Sequence, residues 1–214
     1  MQNAKTLLQQ KLTEENYSRL ASLENPKLME FVADAIELAK PESVFVATDS
    51  EDDIEYIRQL SLKNKEENSL STEGHTVHFD GYQDQARDKS RTKYLLPDGS
   101  SMADSLNSTE RESGIEEVRS YLKDSMEGRK MIVAFFCLGP TDSEFSISCA
   151  QITDSAYVAH SETILYRSGY EQFKRLGGSG DFFRFIHTSG ELTESMVSSN
   201  VDKRRVYIDL QENM

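Results

Sequence analysis

The chain has 214 residues, 37% of them hydrophobic and 29% charged, which is a globular composition with ample length for a sizeable core. Asp and Glu outnumber Lys and Arg 37 to 24, a net charge of -13. That balance argues against a nucleic-acid coat or an anionic membrane surface as partner, since both need a basic face, and leaves room for a small local anion site.

The first forty residues read as helix. Leu8 and Leu12 lie four apart, and Tyr17, Leu20 and Ala21 carry the pattern towards Leu23. Asn25 followed by Pro26 is a cap with proline in the first helical position. Leu28, Val32, Ile36 and Ala39 give the next helix an apolar stripe, and Pro41 stops it. Residues 43–47 suit a strand. Ser50 with Asp53 resembles a capping box, and Ile54 and Ile57 open the buried face of a third helix. Residues 61–74 read as a polar surface loop. Residues 76–79 and 92–96 suit strands, with a polar loop at 81–91 between them. A second polar stretch at 97–114 precedes a capping-box signal at Ser113 and Glu116. The helix it opens, with Ile115, Val118, Tyr121 and Leu122, is expected to end near Gly128. Strands are then expected at 130–138, 145–152, 157–165, 182–187 and 205–210, with a short helix at 171–176. Helices mixed with strands throughout, with no repeat and no clear linker, predict a single α/β domain with a mixed β-sheet flanked by helices.

Cys137 and Cys149 are the only cysteines. They lie in apolar strand candidates outside any CxxC pair and are expected as buried, reduced thiols. The first residues lack the apolar core of a signal peptide, and the longest apolar run, 131–138, is far too short for a bilayer. A cytoplasmic protein is the expectation.

The sharpest reversal of charge is ARDKSRTK at residues 86–93. Arg87, Lys89, Arg91 and Lys93 are offset there only by Asp88. Such a segment suits a small anion, because the planar arginine fork donates two parallel hydrogen bonds to carboxylate or phosphate. From the residues alone, a solvated edge strand with protective charges is the favoured alternative reading. His75 and His78, three apart on a strand, point to opposite faces and make a poor metal pair. His160 and His187 have no ligand-spaced acidic or cysteine neighbours, so no metal site is expected from this chain. GGSG at 177–180 lacks the order and the lysine of a phosphate loop and reads as a turn. The acidic run 49–53 is accounted for by helix capping. No complete catalytic set emerges.

Longer segments carry a resemblance. GRKMIVAFFCLGP at 128–140 resembles the "GR-M-V-F-GP" segment of the GTP-dependent phosphoenolpyruvate carboxykinase family. QITDSAYV at 151–158 resembles its "LTDSPYV" segment, with Ala156 in place of proline. GHTVHFDG at 74–81 and VDKRRVYIDL at 201–210 look closest to its archaeal-like branch. The resemblance implies an enzyme that converts oxaloacetate and GTP to phosphoenolpyruvate, GDP and CO2 in gluconeogenesis, with Mn²⁺ and Mg²⁺. It further implies a cytosolic monomer in which an N-terminal domain faces a C-terminal nucleotide-binding domain across the active site.

The family's mobile arginine loop has the pattern D-x-A-R-x-x-S-x-T, matched by DQARDKSRT at 84–92. The resemblance places Arg87 on the substrate-contacting arginine. Gln85, Ala86, Asp88, Lys89, Ser90, Arg91 and Thr92 form the rest of the loop. Many members carry glutamate two residues after that arginine, where it meets the lid; here Lys89 stands there, with Asp88 one place earlier. The family's tyrosine- and glycine-rich substrate segment, metal ligands and phosphate loop are expected beyond Leu210, so 1–214 reads as the N-terminal, substrate-side domain, inactive alone. Two other readings stay open. One is a non-catalytic anion-binding or regulatory module derived from that domain. The other is an acidic interaction domain whose basic segment is an exposed edge.

Overall fold

The nine-residue run Lys130–Leu138 is buried along almost its whole length, as a strand must be when its sheet is covered on both faces. The rest of the chain is arranged around it. The computed structural model describes residues 2–79 and 90–214. In chain order these form α1 (Gln2–Lys11), α2 (Glu14–Ala21), α3 (Pro26–Ala39), β1 (Ser43–Val46), α4 (Glu51–Lys63), β2 (Asn68–Ser69), β3 (Thr76–Val77), β4 (Thr92–Leu96) and β5 (Ser108–Glu110). There follow α5 (Arg111–Leu122), β6 (Lys130–Leu138), β7 (Ile147–Thr153), α6 (Ala156–Leu165), β8 (Arg167–Ser168), α7 (Tyr170–Lys174), β9 (Phe183–His187) and β10 (Val206–Ile208).

Among the described residues the main sheet has five strands. β1 runs parallel to β6, β7 antiparallel to β6, and β9 parallel to β7, while β8 pairs antiparallel with Phe136 and Cys137. A smaller parallel sheet orders β10-β4-β5, and β2 and β3 make a short antiparallel hairpin. This is one α/β domain with a mixed sheet flanked by helices, as the alternation of patterns predicts.

Alternation along β6 divides the core. Met131, Val133 and Phe135 face α1, α2, α3 and α7 through residues such as Leu8, Leu20, Val32, Ile36 and Phe173. Ile132, Ala134 and Phe136 face α4 and α6 through Ile57, Ala156 and Ala159. Apolar residues on both pleats are therefore required, which is why the run shows no hydrophobic alternation. Cys137 and Cys149 are both buried and free.

Caps fix several helix starts. Asn25 Oδ1 accepts from Leu28 N at 3.0 Å, with Pro26 first in α3. Ser50 Oγ accepts from Asp53 N at 3.2 Å. The expected reciprocal half of that box is absent, because the Asp53 carboxylate turns to Thr48 N at 2.8 Å and Arg19 at 3.0 Å.

Several expectations are corrected. The helical start is two helices, split where Thr13 caps α2. The "polar loop" at 61–74 begins inside α4 and contains buried Ser61 and Glu67. The stretch 97–114 contains β5 and the start of α5. Glu110, three residues before Ser113, is the cap; its carboxylate accepts from Glu112 N and Ser113 N, both at 2.7 Å. α5 ends at Leu122 and not near Gly128.

The largest correction is at 157–165, which is helix α6 and not a strand. Ser155 Oγ accepts from Val158 N at 3.1 Å to start it, and Ala156 and Ala159 let it lie close on the sheet. The hydroxyls of Ser161 and Thr163 bond carbonyls one turn back, which reconciles β-favouring residues with a helix.

Candidate anion-binding cleft

The segments that look most specific in the sequence meet in space. Arg129 Nη1 donates to Asp154 Oδ2 at 2.7 Å, and the Asp154 side chain is wholly buried. The same carboxylate accepts from Thr188 Oγ1 and Ser189 N, both at 2.9 Å. Arg129 also donates to the Gly190 carbonyl. A buried carboxylate is tolerated when its lone pairs are all engaged and a cation neutralises it. Asp154 therefore holds residues 188–190 in a fixed curve against β6 and β7.

That curve forms one wall of a cavity of about 810 Å³. Tyr121 and Leu122 of α5, Tyr157 of α6, Ser198, Asn200, Val201 and residues 203–206 help to complete it, and Lys203, Arg204 and Arg205 bring positive charge to its lining. Arg205 Nε donates to Glu117 Oε1 at 3.0 Å, and the Tyr207 hydroxyl donates to the same carboxylate. The Tyr207 bond first, and the Arg205 bond and charge besides, hold the Glu117 carboxyl below the usual value against the effect of burial. His187, also in the lining, shares a 2.9 Å hydrogen bond between its Nδ1 and Thr153 Oγ1. Loss of water around the ring pushes its pKa down against the pull of Asp154 and Glu66, favouring neutral imidazole.

Two adjacent glutamates pin the hairpin that enters the cleft. Glu66 Oε2 accepts from Ser155 Oγ at 2.6 Å and Tyr157 N at 2.9 Å. The Glu66 carbonyl meets His78 Nδ1 at 2.6 Å, and the His78 ring stacks on Tyr157 with centroids 3.6 Å apart. Glu67 takes Ser61 Oγ at 2.5 Å, Thr76 Oγ1 at 2.6 Å and His160 Nδ1 at 2.7 Å. Burial pushes the Glu67 carboxyl up, but the bonds from Ser61, Thr76 and His160 outweigh it and its pKa is lowered. His160 thus has an acidic partner, 93 positions away in the chain, where neighbouring sequence offered none.

Arg87 and Gln85, Ala86, Asp88 and Lys89 lie outside the described residues. Of the rest of that segment, Ser90 is exposed, Arg91 donates to the Val201 carbonyl, and Thr92 opens β4. His78 and Val201 both line the cavity. The described residues on either side of the basic segment therefore converge on one cleft. β4 continues the anchoring, with Val206 N donating to the Arg91 carbonyl at 3.1 Å.

The remaining candidates resolve into structural roles. His75 Nδ1 meets the Glu73 carbonyl at 3.1 Å and His78 Nδ1 the Glu66 carbonyl, so His75 and His78 serve separate purposes. Gly177 and Gly178 take positive φ in a turn, and the Ser179 carbonyl accepts from Asn25 Nδ2 at 2.8 Å. Asp49 caps α7 by accepting from Tyr170 N and Glu171 N. Among the described residues no three His, Cys, Asp or Glu side chains gather as a metal site, and no helix is long and apolar enough to cross a membrane. Sequence reasoning missed Glu66, Glu67, Arg129 and Asp154 as parts of the site. Arg129 and Asp154 stood inside the quoted segments, but their pairing had no local signal.

By fold and cleft this is an α/β domain presenting a large cavity with charged residues in its lining, a scaffold of the ligand-binding class. Residues 30–214 match the family model for the phosphoenolpyruvate carboxykinase N-terminal domain, and the chain belongs to that family. It is 51% identical over 204 residues to the GTP phosphoenolpyruvate carboxykinase of Thermococcus sibiricus, covering 95% of this chain and 33% of that protein. The Thermococcus kodakarensis enzyme of the same name is 50% identical over 210 residues, covering 98% and 34%. The Corynebacterium efficiens enzyme is 31% identical over 174 residues, covering 79% and 28%. The chain spans about a third of the length of its most similar relatives.

Proposed function

We propose that residues 1–214 are the substrate-side domain of a GTP-dependent phosphoenolpyruvate carboxykinase, converting oxaloacetate and GTP to phosphoenolpyruvate, GDP and CO2. The observation that carries this is the match of DQARDKSRT at 84–92 to the family's arginine segment, within a chain about half identical to enzymes of that name. Arg87 binds the carboxylate or phosphoryl group of the substrate. Both oxaloacetate and phosphoenolpyruvate are anions that a guanidinium fork can grip with two parallel bonds. His78 lines the cleft and Arg91 donates to the carbonyl of Val201 in its lining, so the described residues flanking the segment support this reading.

On the resemblance to that family, Mn²⁺, Mg²⁺ and the guanine nucleotide are assigned to the polypeptide that follows this domain in its relatives. The working enzyme is read as a cytoplasmic monomer.

A hydrogen bond to a charged group is worth about 1.5–3 kcal/mol. In the complete enzyme carrying this domain, Arg87→Ala is therefore expected to lower kcat/KM by roughly ten- to a hundredfold. Arg87→Lys should restore it only in part. Wild-type kcat/KM in Arg87→Ala would remove Arg87 from the site.

A further inference from the structure

The two faces of the main sheet are covered unequally. On the face towards α4 and α6, helix packing is concentrated over β1 and β6, where Ile57, Ala156 and Ala159 meet Ile132, Ala134 and Phe136. The same face continues across β7 and β9 with Ile147, Phe183 and Phe185, which remain 44%, 40% and 43% exposed. Phe183 and Phe185 stand beside Cys149 and Gln151 in the β7–β9 register, and Ile147 stands opposite Leu138. A shallow groove of about 50 Å³ joins Phe185 to Phe136, Leu138, Cys149 and Tyr166 at the end of α6. Ile186, on the opposite pleat of β9, packs into the main core. β9 thus sends Ile186 to the core on one pleat, beside Arg184, and presents Phe183 and Phe185 on the other.

Isolated apolar side chains on a surface need no explanation, but a contiguous strip across two strands and a helix end marks a contact surface. Beneath it, Glu162 has its carboxyl pKa raised by burial, against a hydrogen bond from Gln151, so the groove already disfavours charge.

The occupant follows from length and position. The relatives are about three times as long as the matched span, and the matched family is an N-terminal domain. The Asn213 carbonyl accepts from Arg184 N at 2.8 Å, so the last described residues run beside β9. Polypeptide that continues past this point, as the greater length of the relatives requires of them, starts from beside β9.

We propose that the apolar face of β7, β9 and the end of α6 is the seat of the polypeptide that follows this domain in the carboxykinase, and not a surface for a second copy. This rests on family membership and is independent of the role given to Arg87.

Hydroxyl-radical footprinting tests it. The 214-residue chain is compared alone and joined to the remainder of the Thermococcus kodakarensis relative. Oxidation of Phe183 and Phe185 should fall by about tenfold in the joined protein, as at an interface core. Phe185→Asp should abolish that protection at Phe183 while leaving the isolated chain folded. Unchanged oxidation in the joined protein overturns the proposal. So does protection in the isolated chain that rises with its concentration, which would indicate a second copy. Should the joined protein fail to fold, the same footprint on the intact relative decides, and exposed side chains on the strand aligned with β9 sink the idea. Loss of protection leaves the kinetics of Arg87→Ala untouched, so the two readings fail separately.

Discussion

Glu67 shows how single residues are tuned by partners far away in the chain. Three donors from α4, β3 and α6 converge on its buried carboxylate and set its pKa below the ordinary 4.5. Because the folded value is depressed, the stabilisation is present above the unfolded value and is lost as pH falls through the folded one. The melting temperature should accordingly drop more steeply below about pH 4.5 in the wild type than in Glu67→Gln, read by circular dichroism across an acid series. Equal slopes would remove Glu67 from the acid response. Cys149 works in the opposite direction. Burial first, then the nearby Cys137 and Glu162, pushes its thiol pKa from 9.0 up to about 12. Thiolate is the reactive form, so a thiol reagent at neutral pH should label Cys149 only as fast as the chain opens. Rapid labelling of the native protein would contradict its burial.

At the scale of elements, α6 and the turn after it are the places where small changes should matter most. Ser155 both caps α6 and donates to Glu66. Loss of a cap hydroxyl costs about 0.5–2 kcal/mol, and Ser155→Ala should lower the urea midpoint accordingly. Gly169 is required for a different reason. A Cβ there would stand 2.4–2.7 Å from the backbone N, Cα and C of Phe136, atoms of a central strand that cannot step aside. Overpacking of that kind costs roughly 1–3 kcal/mol, so Gly169→Ala should destabilise the chain by about that amount. A wild-type midpoint in Gly169→Ala would mean that β8 and α7 can shift away from β6.

At the scale of the whole molecule, two apolar layers pack against a five-stranded sheet among the described residues, enough for an independent core. Residues 1–214 should therefore fold alone with a cooperative transition. They should show no carboxykinase turnover, because phosphoryl transfer depends on metals and positioned cations around the transferring group. Calorimetry with GTP and Mn²⁺ should show no specific binding. Micromolar GTP binding by this chain would overturn the assignment of the nucleotide to the polypeptide beyond it.

Local chemistry made much of this protein legible from its sequence. Asn25 with Pro26, the stripe from Leu28 to Ala39, the buried run of β6 and the turn at 177–180 are set by caps, periodicity and glycine. The basic reversal around Arg87 needed only charge. The family was visible in short segments whose order survives along the chain. Tertiary structure decided the rest. Residues 157–165 became a helix because Ser155 caps them and the sheet face requires the small side chains of Ala156 and Ala159 against it. Glu67 found His160, and Arg129 found Asp154, only when the fold closed distances of 93 and 25 positions. A strand preference or an isolated acid is a local property. The burial that reverses the one and pairs the other exists only once the layers have packed.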